Sequence, residues 1–182
     1  MHAVRQPGGV PLTSAHEREL SFERFVAASH ERAVRLAWRL TGAGKGVAED
    51  LVQEALIAAY EKLGSLRDPA ALEGWFYRIL ARRASNHRRW AAVRHRFAQT
   101  VVPERATAPV VPEPGLRVRI DQAMAHLSET QRAVFILVYL EGFTLDETAR
   151  ILGKAPGTVR THLHRALQTL RRELAEVMDE LR

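Results

Sequence analysis

Apolar residues along this chain recur at three- and four-residue steps, and no stretch shows the two-residue alternation of a strand. The clearest case is 47–63, where Ala48, Leu51, Val52, Ala55, Leu56, Ala59, Tyr60 and Leu63 fall on one helical face. Before it, 20–40 places Leu20, Phe22, Phe25, Val26, Val34, Leu36, Ala37 and Leu40 on an apolar side, and the glycine-bearing stretch 41–46 breaks the pattern. A polar loop at 64–68 leads to a third helix. Asp68 is its cap and Pro69 its first residue, where a missing N–H costs nothing. That helix is expected to reach about Trp90 and to bury Leu72, Trp75, Phe76, Ile79 and Leu80. The stretch 91–115 then changes character. Pro103, Pro109, Pro112 and Pro114 stand among small residues, a composition that stays extended and reads as a linker. Beyond it come a helix at 116–127 and another at 129–140, the second opened by a capping box of Ser128 and Gln131.

The most informative stretch is 144–172, TLDETARILGKAPGTVRTHLHRALQTLRR. Thr144 and Glu147 form a second capping box, and Leu145, Ala149 and Leu152 lie on one face with Ile151 beside it. Gly153 ends that helix because glycine accepts a left-handed backbone, and Pro156 starts the next. Val159, Leu163, Ala166, Leu167 and Leu170 carry the apolar stripe onward, while Arg160, Thr161, His162, His164 and Arg165 point elsewhere, mostly to solvent. A small residue, a glycine turn and a packed valine at this spacing describe a helix-turn-helix, whose second helix enters the DNA major groove. An ordinary helical hairpin in a bundle is the plainer alternative, and the basic, polar exposed face of the second helix argues against it.

Charge sharpens this picture. The 182 residues carry a formal net charge of +6, and the same net of +6 falls within 1–96, leaving −1 for 97–115 and +1 for 116–182. Much of the excess sits on the third helix, where Arg78, Arg82, Arg83, Arg88, Arg89, Arg94 and Arg96 follow one another with no acid between Glu73 and Glu104. A solvated face usually mixes signs, whereas cations that neutralise phosphates release counterions and bind salt-sensitively. Trp75, Phe76, Tyr77 and Trp90 interleave with these arginines. They are either core or platforms on which the bases of a single strand stack. The second helix has the opposite character, with Glu49, Asp50, Gln53, Glu54 and Glu61 on its polar side. Glu49 and Asp50 either complement the helix dipole or belong to a protein-docking surface.

Other chemistries find little support. The absence of cysteine rules out disulfides, cysteine zinc fingers and thiol catalysis, and fits a reducing cytoplasm. His162 and His164 are two apart and diverge on a helix, and His16, His30, His87, His95 and His126 are isolated, so no metal site or catalytic residue is expected. GAGKG at 42–46 lacks the P-loop spacing and its Ser/Thr, so no nucleotide cofactor is expected either. No apolar run approaches the roughly 20 residues that span a bilayer, so no stable membrane insertion is expected. The expected architecture is all-α. A disordered lead at 1–18 precedes a helical domain at 19–92, a proline-rich linker at 93–115, a helix-turn-helix domain at 116–176 and a helical tail at 177–182.

AEDLVQEALIAAY, GWFYRILARRASNHRR, a proline-bearing linker and LSETQRAVFILVYLEGFTLDETARILGKAPGTVRTHLHRAL, in that order, resemble a bacterial RNA polymerase sigma factor of the two-domain extracytoplasmic-function group. The resemblance covers about 20–175 and implies a non-enzymatic, cytoplasmic protein that binds core RNA polymerase and directs promoter-specific initiation. Asp50, Leu51, Gln53 and Glu54 match the segment that docks on the beta-prime clamp helices. Ser65, Leu66, Arg67 and Asp68 match the loop that captures a flipped base of the −10 element. Trp75, Tyr77, Arg78, Arg82, Arg83, Asn86, Arg88 and Arg89 match the helix that opens and holds the −10 strand. Thr158, Arg160, Thr161, His162, His164 and Arg165 match the −35 recognition positions, although His162 stands where arginine is more usual. The beta flap, promoter DNA and an anti-sigma protein are the further partners the resemblance implies. A helix-turn-helix regulator of response-regulator type would share the C-terminal motif, but it would need an alternating helix-strand receiver that the front half lacks. A structural helical adaptor would not need two basic DNA-type helices.

Overall fold

The computed structural model describes residues 15–97 and 114–175. The expected tail, most of the expected linker and 1–14 of the expected lead lie outside the described residues, whereas 15–18, expected to be disordered, belong to the first helix. Among those described, every regular element is helical. Three helices form the first module: α1 (Ala15–Thr41), α2 (Lys45–Glu61) and α3 (Leu72–Phe97). Four form the second: α4 (Pro114–Ala125), α5 (Glu129–Phe135, continued by a π turn at Ile136–Leu140), α6 (Leu145–Leu152) and α7 (Pro156–Glu173).

Local chemistry sets the boundaries. The Thr41 hydroxyl donates to the Ala37 carbonyl (2.8 Å) and accepts from the Ala43 N–H (3.2 Å), while Gly42 takes φ +68°, so α1 stops and reverses. α2 ends at Glu61 rather than at Leu63, because a 3-10 turn at Leu63–Ser65 takes over and buries Leu63. Asp68 does cap, accepting from the Ala70 N–H at 2.9 Å, but it caps a 3-10 turn at Pro69–Ala71 that feeds α3. α3 outruns its expected end at Trp90 and continues to Phe97, since Ala91, Ala92 and Val93 oppose no helix before the first linker proline at 103. The Ser128–Gln131 capping box forms as expected. The π turn after it is a departure from the expected regular helix: the Glu141 N–H reaches back five residues to the Ile136 carbonyl at 3.0 Å.

α1 packs against both α2 and α3, and Phe22, Phe25, Phe76 and Tyr77 fill the space between them with tilted and edge-to-face ring contacts. Fully burying one such ring contributes about 1.5–3 kcal/mol. In the second module α7 packs against α5 and α6 around Val134, Ala149 and Val159. The two modules are not separate bodies in this structure. α3 packs along α6, and the buried core runs without a break from Leu40, Tyr77 and Ala84 into Ile136, Phe143 and Ile151.

Candidate nucleic-acid interface

The helix-turn-helix is built as the sequence requires. The Thr144 Oγ1 accepts from the Glu147 N–H at 3.2 Å, and the Glu147 carboxylate accepts from the Thr144 N–H at 2.8 Å. The backbone and side-chain hydrogen bonds of Thr144 hold the Glu147 carboxyl below its ordinary pKa. α6 ends in a left-handed Gly153 (φ +62°), with the Lys154 N–H donating to the Ala149 carbonyl at 2.9 Å. That closed turn and Pro156 at the first position of α7 fix the angle between the helices. Val159, fully buried, packs between them against Ala149 and Val134.

This scaffold presents the α7 face. Thr158, Arg160, Thr161, His164 and Arg165 are exposed. His162 is half-buried, and its Nδ1 has no protein partner. Desolvation, followed by the cations of Lys154 and Arg165, pulls its pKa below the usual histidine value. The Thr161 hydroxyl donates to the Gly157 carbonyl at 3.0 Å.

On α3 the basic residues divide. Arg78, Arg82, Asn86 and Arg89 are exposed along one stripe, with Arg89 donating to Asn86 Oδ1 at 3.1 Å. Arg83 turns toward α2 and pairs with Glu54 at 2.6 Å, and Arg88 is half-buried. The side chain of Arg96 lies outside the described residues. Of the aromatics, Phe76 and Tyr77 are core, Trp75 is half-buried and packs on that core, and Trp90 stands 64% exposed. Tyr77 does not reach the basic stripe in this arrangement; its ring lies against Phe143 of the second module, with centroids 5.3 Å apart. Burial pushes its phenol up to about 12.

Before α3, Ser65, Arg67 and Asp68 are exposed in the loop and Leu66 is half-buried. On α2, Asp50, Gln53 and Glu54 are exposed, whereas Leu51 faces the core. Ile57 and Tyr60 stand exposed on the same helix. The periodicity placed Tyr60 with the buried set and passed over Ile57. Reading on from Asp50 and Gln53 in helical steps would have found both.

Between the modules lies an open cleft of about 590 Å³. Arg78, Arg82, Arg88 and Arg89 line its α3 side, and Glu129, Gly153 and Lys154 face them. Among the described residues no group of histidines and carboxylates is arranged to hold a metal ion, and no helix is long and apolar enough to cross a membrane.

Residues 25–93 match sigma-70 region 2, and residues 117–170 match sigma-70 region 4. The chain is 36% identical over 173 residues to the ECF RNA polymerase sigma factor SigL of Mycobacterium tuberculosis, covering 91% of this chain and 96% of that protein. The chain belongs to the ECF sigma factors. SigM of the same organism is 31% identical over 157 residues, 85% of this chain and 77% of that one. Among solved structures, the sigma factor RpoE of Bartonella quintana, in complex with the anti-sigma factor NepR, superposes with a TM-score of 0.71 at 26% identity, covering 85% of this chain and 96% of that chain. As a sigma factor, the chain is a transcription initiation factor for promoter-directed RNA synthesis, with its DNA-binding helix-turn-helix in region 4.

Proposed function

We propose that this sigma factor divides its work among three surfaces. Asp50, Gln53 and Glu54 on α2 dock on the beta-prime clamp helices of core RNA polymerase, with the exposed Ile57 and Tyr60 adding apolar area. The loop Ser65, Leu66, Arg67 and Asp68 takes a flipped −10 base, and Arg78, Arg82, Asn86, Arg88 and Arg89 hold the melted strand. Thr158, Arg160, Thr161, His162, His164 and Arg165 read the −35 duplex, with arginine to guanine the strongest single contact available. Leu51 supports the α2 surface from the core, and Trp75 and Tyr77 serve the −10 site by packing α3 in the arrangement seen here.

The observation carrying this reading is the order of surfaces: an acidic and apolar helix, then a basic helix with no acid after Glu73 in its first turn, then an exposed recognition helix on a rigid turn. Two weak DNA sites on one chain gain joint affinity when a third body fixes their spacing, and polymerase, gripping α2 and offering its beta flap to the second module, supplies that spacing. The chain works in the cytoplasm and has no catalytic site of its own. An anti-sigma protein, as in the RpoE–NepR complex, is the further partner. Run-off transcription with purified core enzyme and genomic fragments tests the proposal. Initiation from a defined subset of fragments is expected, and none above core alone overturns it.

A further inference from the structure

The two modules close on each other through the turn at 140–143. Arg39 Nη1 donates to the Leu140 carbonyl (3.1 Å) and to Glu141 Oε1 (2.6 Å). Arg32 Nη2 donates to the Glu141 carbonyl (2.7 Å), its Nε reaches Glu141 Oε2 (3.4 Å), and its Nη1 pairs with Glu73 (2.8 Å). The Glu141 side chain is 4% exposed. The Arg32 guanidinium also lies over the rings of Phe143 (4.6 Å) and Tyr77 (5.5 Å). The first module therefore holds two carbonyls, a carboxylate and an aromatic ring from one short turn of the second. The carbonyls are available because the π turn and Gly142 (φ +75°) end α5 there.

Like charge works against this closure. Arg78, Arg82, Arg88 and Arg89 share the cleft with Lys154, and Glu129, which receives the Ser85 hydroxyl, is the acid among the lining residues. Arg132 reaches across from α5 to donate to the Arg39 carbonyl at 3.3 Å, and its Nε is buried without a partner. Burial, then the nearby Arg88 cation, pull the Arg132 guanidinium below its ordinary pKa. That repulsion favours opening, and a polyanion too wide for the cleft binds the α3 cations better in the open form and so draws the equilibrium toward it.

We infer that the turn at 140–143 is an intramolecular latch: seated on Arg32 and Arg39, it holds the helix-turn-helix module across an open cleft from the basic face of α3, narrowing the approach to side chains that themselves stay solvated, and release of Glu141 widens that approach. The occlusion rests on the proposed reading of α3 as the −10 surface; the latch does not. The recognition helix stays outward in the closed form, with Arg160 and Arg165 clear of the cleft, so closure restricts access to one DNA contact and spares the other.

The chain has no cysteine, so Lys62→Cys and Arg171→Cys give one spin label on each module and no others. A double electron–electron resonance measurement on the labelled full chain should give one narrow distance. Glu141→Ala, or Arg32→Ala with Arg39→Ala, should give a longer, broad distribution at unchanged helicity by circular dichroism. Glu141→Gln, which retains hydrogen bonding, should fall between them and serves if the alanine variant fails to fold. A distribution that is narrow in all of them, or broad in the parent, overturns the latch. Binding of a fluorescent random twelve-nucleotide single strand reads occlusion. If the parent is closed nine times in ten, Glu141→Ala should bind about tenfold tighter. Equal binding, with the distances showing opening, overturns the occlusion. Binding that survives Arg82→Ala with Arg88→Ala in the opened chain overturns the α3 assignment and leaves the latch standing.

Discussion

Arg83 on α3 and Glu54 on α2 meet at 2.6 Å, joining the proposed −10 helix to the proposed polymerase-docking helix. Both side chains keep solvent access, at 34% and 57%. An exposed pair of this kind is worth about 0.2–1 kcal/mol. Glu54→Ala is therefore expected to leave the melting temperature within a few degrees while weakening the complex with core polymerase several-fold. Surface plasmon resonance on immobilised core enzyme, beside a thermal melt, separates the two effects. A large loss of stability with unchanged polymerase affinity would make the pair structural.

Gly153 sets the helix-turn-helix angle with φ +62°. Alanine there has room, since its Cβ would meet the Arg78 Nη2 at 3.6 Å, an ordinary contact. The cost is backbone strain, about 1–2 kcal/mol for a non-glycine residue in the left-handed region. Gly153→Ala should lower stability by that amount in urea unfolding and weaken promoter duplex binding more than single-strand binding. A stability change near zero would mean that the turn relaxes to another conformation.

Tyr77 is fully buried and its hydroxyl has no protein partner. Burial raises its pKa from 10.0 to about 12, so the folded state holds the neutral phenol where the unfolded chain would ionise. The sign follows: the contribution is complete below pH 10 and is lost as pH rises through about 12. Tyr77→Phe removes both the titration and an unpaired hydroxyl. The variant should match or exceed the parent by up to about 1 kcal/mol at pH 8, and its advantage should widen above pH 10. Urea titrations of both proteins at pH 8 and pH 10.5 check this; a constant gap would place the phenol in contact with water.

Most of the second module was legible in the sequence because its signals are local. Thr144 with Glu147, Ser128 with Gln131, Gly153 and Pro156 each act within a turn, and each does so here. The burial of Thr148, the fate of Tyr77 and the pairing of Arg83 with Glu54 were not legible, because long-range packing decides them. The Arg32–Glu141 contact spans 109 positions, and no periodicity within either helix reports it. The π turn escaped for a similar reason. Its sequence, ILVYL, is an ordinary apolar run, and what distinguishes it from α-helix is the five-residue bond from the Glu141 N–H to the Ile136 carbonyl, after which the Leu140 and Glu141 carbonyls turn to Arg39 and Arg32. The proposed recognition residues come out on one exposed face because a helical surface follows from spacing alone, with His162 the half-buried exception.

That exception carries a pH dependence. Desolvation and the Lys154 and Arg165 cations pull the His162 pKa below its ordinary value and favour the neutral ring. In the free protein, stability is therefore complete above the unfolded histidine pKa of about 6.5 and falls as pH drops below it. A DNA phosphate brought to α7 reverses the local potential and favours the imidazolium, so binding takes up a proton. Lowering the pH from 7.5 to 6 should tighten binding to a promoter duplex by several-fold, against a ceiling of about tenfold per pH unit for one proton. His162→Gln should flatten that slope, and His162→Arg should bind more tightly at pH 7.5 and lose most of the dependence. Fluorescence anisotropy across this range, at fixed ionic strength, gives the slopes directly. Parallel slopes for parent and glutamine variant would remove His162 from the interface and leave the reading of the −35 element to Arg160 and Arg165.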